Sequence, residues 1–108
     1  NPTSVLAALN SFKQMNVANK IAILGDMLEL GDISDNEHKK VCDFLHQNNI
    51  DAFTVGKEFK KSCSQFDNFE TVDLLIAYLQ TNPIEDSFIL LKGSRGIKLE
   101  KLVETKTI

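Results

Sequence analysis

Lys20-Ile21-Ala22-Ile23-Leu24-Gly25-Asp26-Met27-Leu28-Glu29-Leu30-Gly31 is the stretch whose reading decides the fold. Ile21 to Leu24 is too short an apolar run for a helix core and reads as a buried strand. Gly25 ends it, and Gly31 closes the loop after it. A second run of the same design lies near the other end of the chain. Phe88-Ile89-Leu90-Leu91 feeds Lys92-Gly93-Ser94-Arg95-Gly96. In an open α/β sheet, loops of this kind line the ligand crevice at the carboxyl ends of the strands.

Helical patterns fill the space around these strands. Pro2 suits a first helical turn, where its missing N–H has no partner to lose. Val5, Leu6, Leu9 and Phe12 then recur at helical spacing, and Asn16 to Asn19 is a polar break. Ser34-Asp35-Asn36-Glu37 has the pattern of a capping box, with Ser34 as cap and Glu37 reaching back. Val41, Phe44 and Leu45 give that helix its buried face, and Asn48-Asn49 ends it. Ala52 to Val55 reads as a strand stopped by Gly56, and Glu58 to Ser62 as a short helix. Phe66 and Phe69 mark a short strand or a packed loop. Thr71 is placed to cap a helix carrying Val72, Leu75, Ile76 and Leu79, which Asn82-Pro83 stops. Leu99, Leu102 and Val103 suggest a last short helix. This alternation of strand and helix predicts a single α/β domain over residues 1–108: a three-layer arrangement, with a mainly parallel sheet and helices on both faces.

Composition narrows the function. Lys and Arg total 12 against 15 Asp and Glu, a formal net charge of −3, so the basic footprint of a nucleic-acid binder is missing. No apolar run reaches the roughly 20 residues that span a bilayer, and no charged-then-apolar leader stands at the start. The opening Asn1-Pro2, without an initiator methionine, suggests an excised domain. Cys42 and Cys63 are too few for a disulfide framework and read as two reduced core cysteines in a cytoplasmic protein.

Both glycine loops carry chemistry. Lys92 and Arg95 can meet a phosphate or carboxylate, Ser94 can add a hydroxyl, and Gly93 and Gly96 allow a tight path that exposes backbone N–H groups. A solvated turn with incidental charges is the other reading. Asp26 and Glu29 suit an ammonium group, acid/base work or a magnesium ion; equally they suit a turn and a helix start. His38 stands four residues before Cys42, but two such residues are a poor zinc site. His46 reads as surface. Walker A, Gly-x-Gly-x-x-Gly and Gly-x-Ser-x-Gly patterns are all absent.

Taken in order, these pieces resemble the C-terminal domain of the Mur ligases. Asn1-Pro2-Thr3-Ser4 with Ala7-Ala8-Leu9 is similar to the end of the family's Tyr-Asn-Ala-Asn-Pro-x-Ser segment. Leu24 to Gly31 is similar to its Leu-Gly-Asp-Met-x-Glu-Leu-Gly loop, His38 comes next at the family spacing, and Leu91 to Arg95 is similar to its Lys-Gly-Ser-Arg loop. The first glycine loop points to the branch that adds D-alanyl-D-alanine. The resemblance implies a Rossmann-like domain of a cytoplasmic, three-domain ligase of peptidoglycan synthesis. It implies ATP and magnesium held mainly by N-terminal and central domains outside this chain, with UDP-N-acetylmuramoyl-tripeptide and D-alanyl-D-alanine as substrates. Asp26, Glu29, His38, Lys92, Ser94 and Arg95 become substrate- or anion-binding candidates, and Asn1 a residue of the nucleotide side. No catalytic residue and no metal ligand is expected within the chain, which alone is expected to be inactive. A sibling ligase adding another amino acid and an unrelated α/β small-ligand module are the alternatives.

Overall fold

A computed structural model describes residues 1–108. In chain order the elements are α1 (Pro2–Gln14), β1 (Lys20–Gly25), α2 (Ser34–Gln47), β2 (Asp51–Val55), α3 (Lys57–Ser62), β3 (Asp67–Phe69), α4 (Val72–Thr81), β4 (Phe88–Lys92) and α5 (Lys101–Glu104). Short 3-10 turns at Gly31–Ile33 and Arg95–Ile97 lead towards α2 and α5. The four strands lie in the order β3-β2-β1-β4, and every neighbouring pair is parallel.

Strand pleating sends alternate residues to opposite faces, and in β1 it divides the side chains between two cores. Ala22 and Leu24 pack into a core built with α1, α2 and α3. Ile21 and Ile23 pack into a second core with α4 and α5. Both faces of the strand are therefore covered, which explains a continuous apolar run in place of alternation. Leu9, Leu45, Leu75 and Leu79 close the two layers at 1% exposure or less. Each such side chain contributes roughly 1.5–3 kcal/mol. The expected three-layer α/β fold is the observed one.

Strand order reverses at β1. The chain winds outward from β1 through β2 to β3, then α4 carries it back to β4 on the other side of β1. The carboxyl ends of β1 and β4 thus flank a topological switch point, where open α/β sheets bind ligands. The two glycine loops are the segments that leave these ends.

Two expectations need correction. Ser34 does not cap α2: it is the first residue of the helix, and Ile33 stands at the cap. The 3-10 turn runs straight into α2, so the Ser34 side chain is free to point sideways to Glu58 and His38, while Glu37 pairs with Lys40. Cys42 and Cys63 are not reduced but joined in a disulfide. Both are buried in the same core, one on the inner face of α2 and the other just past α3, with Cα atoms 5.8 Å apart. Thr71 does cap α4, its hydroxyl accepting from Leu74 N–H at 3.2 Å. Phe66 precedes, and Phe69 closes, the short β3.

Candidate functional site

The two glycine loops are laced together. Ser94 N–H donates to the Asp26 carbonyl at 3.2 Å, and Leu28 N–H donates to Ser94 Oγ at 2.9 Å. The strand ends beneath them approach so closely that a Cβ on Gly93 would stand 2.8 Å from the Gly25 Cα. Only glycine permits that backbone contact. Ser94 therefore acts first as the clasp between the loops.

Asp26 is buried, and both of its carboxylate oxygens are engaged. Oδ2 accepts from Glu58 N–H at 2.8 Å and Oδ1 from Phe59 N–H at 2.9 Å. These amides open α3 and have no partner within it. The carboxylate fits because residue 56 is glycine: a Cβ there would collide with it, and φ at Gly56 is +124°. Gly56 carried no chemistry in the sequence, and only its position at a strand end hinted at a role.

His38 is fully buried on the inner face of α2. Its Nε2 accepts from Met27 N–H at 3.0 Å, so the ring proton sits on Nδ1 and is donated to the Ser34 carbonyl at 2.7 Å. Asp26 Oδ1 lies 3.9 Å from Nε2, but with Nε2 accepting a backbone proton the two do not form an ion pair. The ring also meets Phe59 edge-on, with centroids 4.6 Å apart. The loop is thus held from beneath at two points, α3 holding Asp26 and His38 of α2 holding Met27.

The remaining charges are free. Glu29 is exposed, forms no ion pair and adopts φ +63°, a left-handed conformation costly for a residue with a Cβ. It lines a hollow of about 450 Å³ with Leu28, Gly56, Lys57, Glu58 and Glu70. Lys92, half-buried, and Arg95, exposed, also lack an ion-pair partner. They line a second hollow of about 480 Å³ with Ser94, Leu99, Glu100 and Glu104. Asn1 caps α1, its Oδ1 accepting from Ser4 N–H at 2.8 Å. It also borders a small cleft with Met27, Lys92 and Ser94.

Glu58 gave no site signal in the sequence, where it read only as the start of a short helix. Its carboxylate accepts from the Ser34 hydroxyl at 2.6 Å and pairs with Lys61 at 3.1 Å. The Ser34 bond, then Lys61, hold its pKa below the usual value of 4.5. Glu58 in turn pushes the Lys61 pKa up. At the rim, the bond from Lys60 holds the Glu70 carboxyl below its usual range. His46 is exposed.

Two hollows at the carboxyl ends of a parallel sheet, one lined by Glu29 and the other by Lys92 and Arg95, define an α/β domain of the class that binds ligands at its strand ends. The profile of the "Mur ligase, glutamate ligase domain" matches residues 1–95. This chain belongs to the Mur ligase family and is its C-terminal domain. It is 36% identical, over 95% of its length, to a UDP-N-acetylmuramoyl-tripeptide–D-alanyl-D-alanine ligase of Bacillus subtilis, covering 25% of that protein. It is 34% identical, again over 95% of its length, to the ligase of that name from Rickettsia prowazekii, covering 24% of it. A solved structure of MurF from Acinetobacter baumannii superimposes on 99% of the chain with a TM-score of 0.74 at 29% identity, the chain spanning 25% of it. The chain therefore spans about a quarter of the length of these relatives. No helix is long and apolar enough to cross a membrane.

Proposed function

We propose that this chain is the acceptor-binding, nucleotide-closing domain of a cytoplasmic ligase that joins D-alanyl-D-alanine to UDP-N-acetylmuramoyl-tripeptide. The observation that carries this reading is the sorting of charge between the two hollows. Glu29 stands free on one loop; Lys92 and Arg95 stand free on the other. A dipeptide acceptor brings one ammonium and one carboxylate, so it calls for both. The names of the relatives agree on that acceptor.

The residues divide by role. Arg95 offers a planar fork to a carboxylate or phosphate, and Lys92 a point charge beside it. The same cations face the negative charge that develops when an amine attacks an activated carboxylate. Glu29 receives the ammonium end. Ser94, Asp26 and His38 position the loops without touching ligand. Asn1, already engaged in capping α1, sets where the chain enters beside Lys92 on the nucleotide side.

ATP with magnesium supplies activation of the tripeptide carboxylate by phosphoryl transfer. Lys92 and Arg95 suit a phosphate of that nucleotide. Asp26 suits magnesium poorly, because it is buried and each of its oxygens already accepts an α3 amide. The nucleotide and the metal fall mainly to domains outside this chain, so the chain alone is inactive. Closure brings its charges to the reacting groups.

An amide NMR titration tests this directly. D-alanyl-D-alanine is added first, then ATP and magnesium, with L-alanyl-L-alanine as control. Selective shifts at Leu28 to Glu29 and Lys92 to Gly96 are expected. In the full-length ligase, Lys92→Ala and Arg95→Ala are expected to raise KM for the dipeptide at least tenfold. Unchanged kinetics in both variants would refute the assignment.

A further inference from the structure

The disulfide is the last rung of a ladder that leads to the loop. Ser34, His38 and Cys42 recur at intervals of four along α2, so they share its inner face. Facing them are Glu58, Phe59 and Cys63 from α3 and its end. Ser34 meets Glu58, His38 meets Phe59, and Cys42 is bonded to Cys63. The first two rungs are the residues that fix the Asp26–Gly31 loop: His38 holds Met27 N–H, while the Glu58 and Phe59 amides donate to Asp26.

We propose that the Cys42–Cys63 bond is a redox-responsive clamp that sets how firmly α3, and through Asp26 the crevice loop, is held against α2. α3 has only six residues, Lys57–Ser62, too few to be a stable helix by itself. Its place depends on the buried Phe59 and the Ser34–Glu58 bond along its length, on the Asp26 cap at one end and on the disulfide at the other. The disulfide end is also the less satisfied one. Ser62 Oγ, next to Cys63, is a buried side-chain oxygen with no hydrogen-bond partner. Ser64 and Gln65, just beyond, are exposed. Cys63 itself is buried, so a thiol reaches its Sγ when this end of α3, bordered by the exposed Ser64 and Gln65, lifts from the core.

The chemistry is thiol–disulfide exchange with a low-molecular-weight thiol–disulfide couple. A thiolate attacks Cys63 Sγ and forms a mixed disulfide, and Cys42 Sγ leaves as a thiolate and takes a proton. A second thiol resolves the mixed disulfide, releasing Cys63 as a thiol and the small disulfide as product. The protein gains two electrons and two protons; the two small thiols lose them. In the reducing compartment that the proposed cytoplasmic ligase implies, a bridge of this kind acts as a sensor rather than a staple. The clamp rests on this chain's own contacts, whichever ligand the crevice takes.

Three amides report on it: Met27, Glu58 and Phe59. Hydrogen exchange is followed by NMR in the oxidised chain, in the chain equilibrated with glutathione couples of increasing reducing strength, and in the Cys42→Ala/Cys63→Ala variant. The expected result is a reduced chain in which the three reporters speed up at least tenfold more than the β1 amides, Ile21 to Leu24, which register only the loss of global stability. The double variant should match it. Reporters unchanged on reduction would overturn the clamp. So would an equal acceleration of β1 and the reporters, which would make the bridge a staple of the whole fold, or a bond that no glutathione ratio reduces.

Discussion

Replacing Asp26 by Asn keeps the shape of the side chain and removes its charge. Two backbone N–H groups, those of Glu58 and Phe59, now donate to the two carboxylate oxygens at 2.8 and 2.9 Å. An amide offers one oxygen and turns an NH2 towards the other donor. One hydrogen bond is lost and a buried N–H is left unpaired. The negative charge facing the start of α3 also disappears. A hydrogen bond to a charged group is worth about 1.5–3 kcal/mol, so Asp26→Asn should cost roughly 3 kcal/mol. That is a large share of the stability of a chain this size, given roughly 0.05–0.15 kcal/mol per residue. Urea unfolding followed by circular dichroism measures it. Gly56→Ala supplies the control, because the added Cβ collides with the same carboxylate. Two changes that destroy one interaction should be strongly non-additive when combined. If Asp26→Asn shifts stability by less than about 0.5 kcal/mol, the scale of an ordinary surface change, the capping argument is wrong. Asp26 would then count again among the ligand-binding groups.

Glu29→Gly relieves the left-handed backbone at φ +63° and should stabilise the chain by roughly 0.5–1 kcal/mol in the same assay, while weakening the response to D-alanyl-D-alanine in the titration. Glu58 has a folded pKa below its usual 4.5, so its contribution is present above about pH 4.5 and is lost as pH falls through the folded value. Ser34→Ala removes the first cause of that shift and should flatten the stability curve between about pH 5 and 3, read from urea midpoints across that range. Cys42→Ala/Cys63→Ala opens a loop of 21 residues' separation and should cost about 3 kcal/mol by chain-entropy reasoning, leaving a folded chain by circular dichroism.

The fold was legible because its signals are local. The apolar run before Gly25, the run before Lys92 and the stripe from Val72 to Leu79 each specify their element from within. The loops of the crevice were legible as sequence for the same reason. Their roles were not, because roles depend on which elements meet. Nothing local says that Ser34 looks sideways to Glu58 instead of back along α2. Nothing in a spacing of 21 residues says that Cys42 and Cys63 stand side by side. Asp26 and Glu29, three apart in one loop, read alike as carboxylates, yet one is buried against α3 and the other is exposed.

That division between Asp26 and Glu29 has a physical cause. A buried carboxylate is tolerated only where its charge is answered, and the amides that open α3 answer Asp26 in full. Its burial and these two bonds commit it first to holding α3. His38 is spent in the same way, its two ring nitrogens divided between Met27 and Ser34. The groups with unspent capacity are those held at the surface by this framework: Glu29, Lys92 and Arg95. Ligand chemistry therefore falls to residues whose charge the fold leaves unpaired, and the buried polar residues beneath them determine where those charges stand. A substitution of Asp26 or His38 should then be read first in stability and only afterwards in binding, whereas one at Lys92 or Arg95 should be read in binding alone.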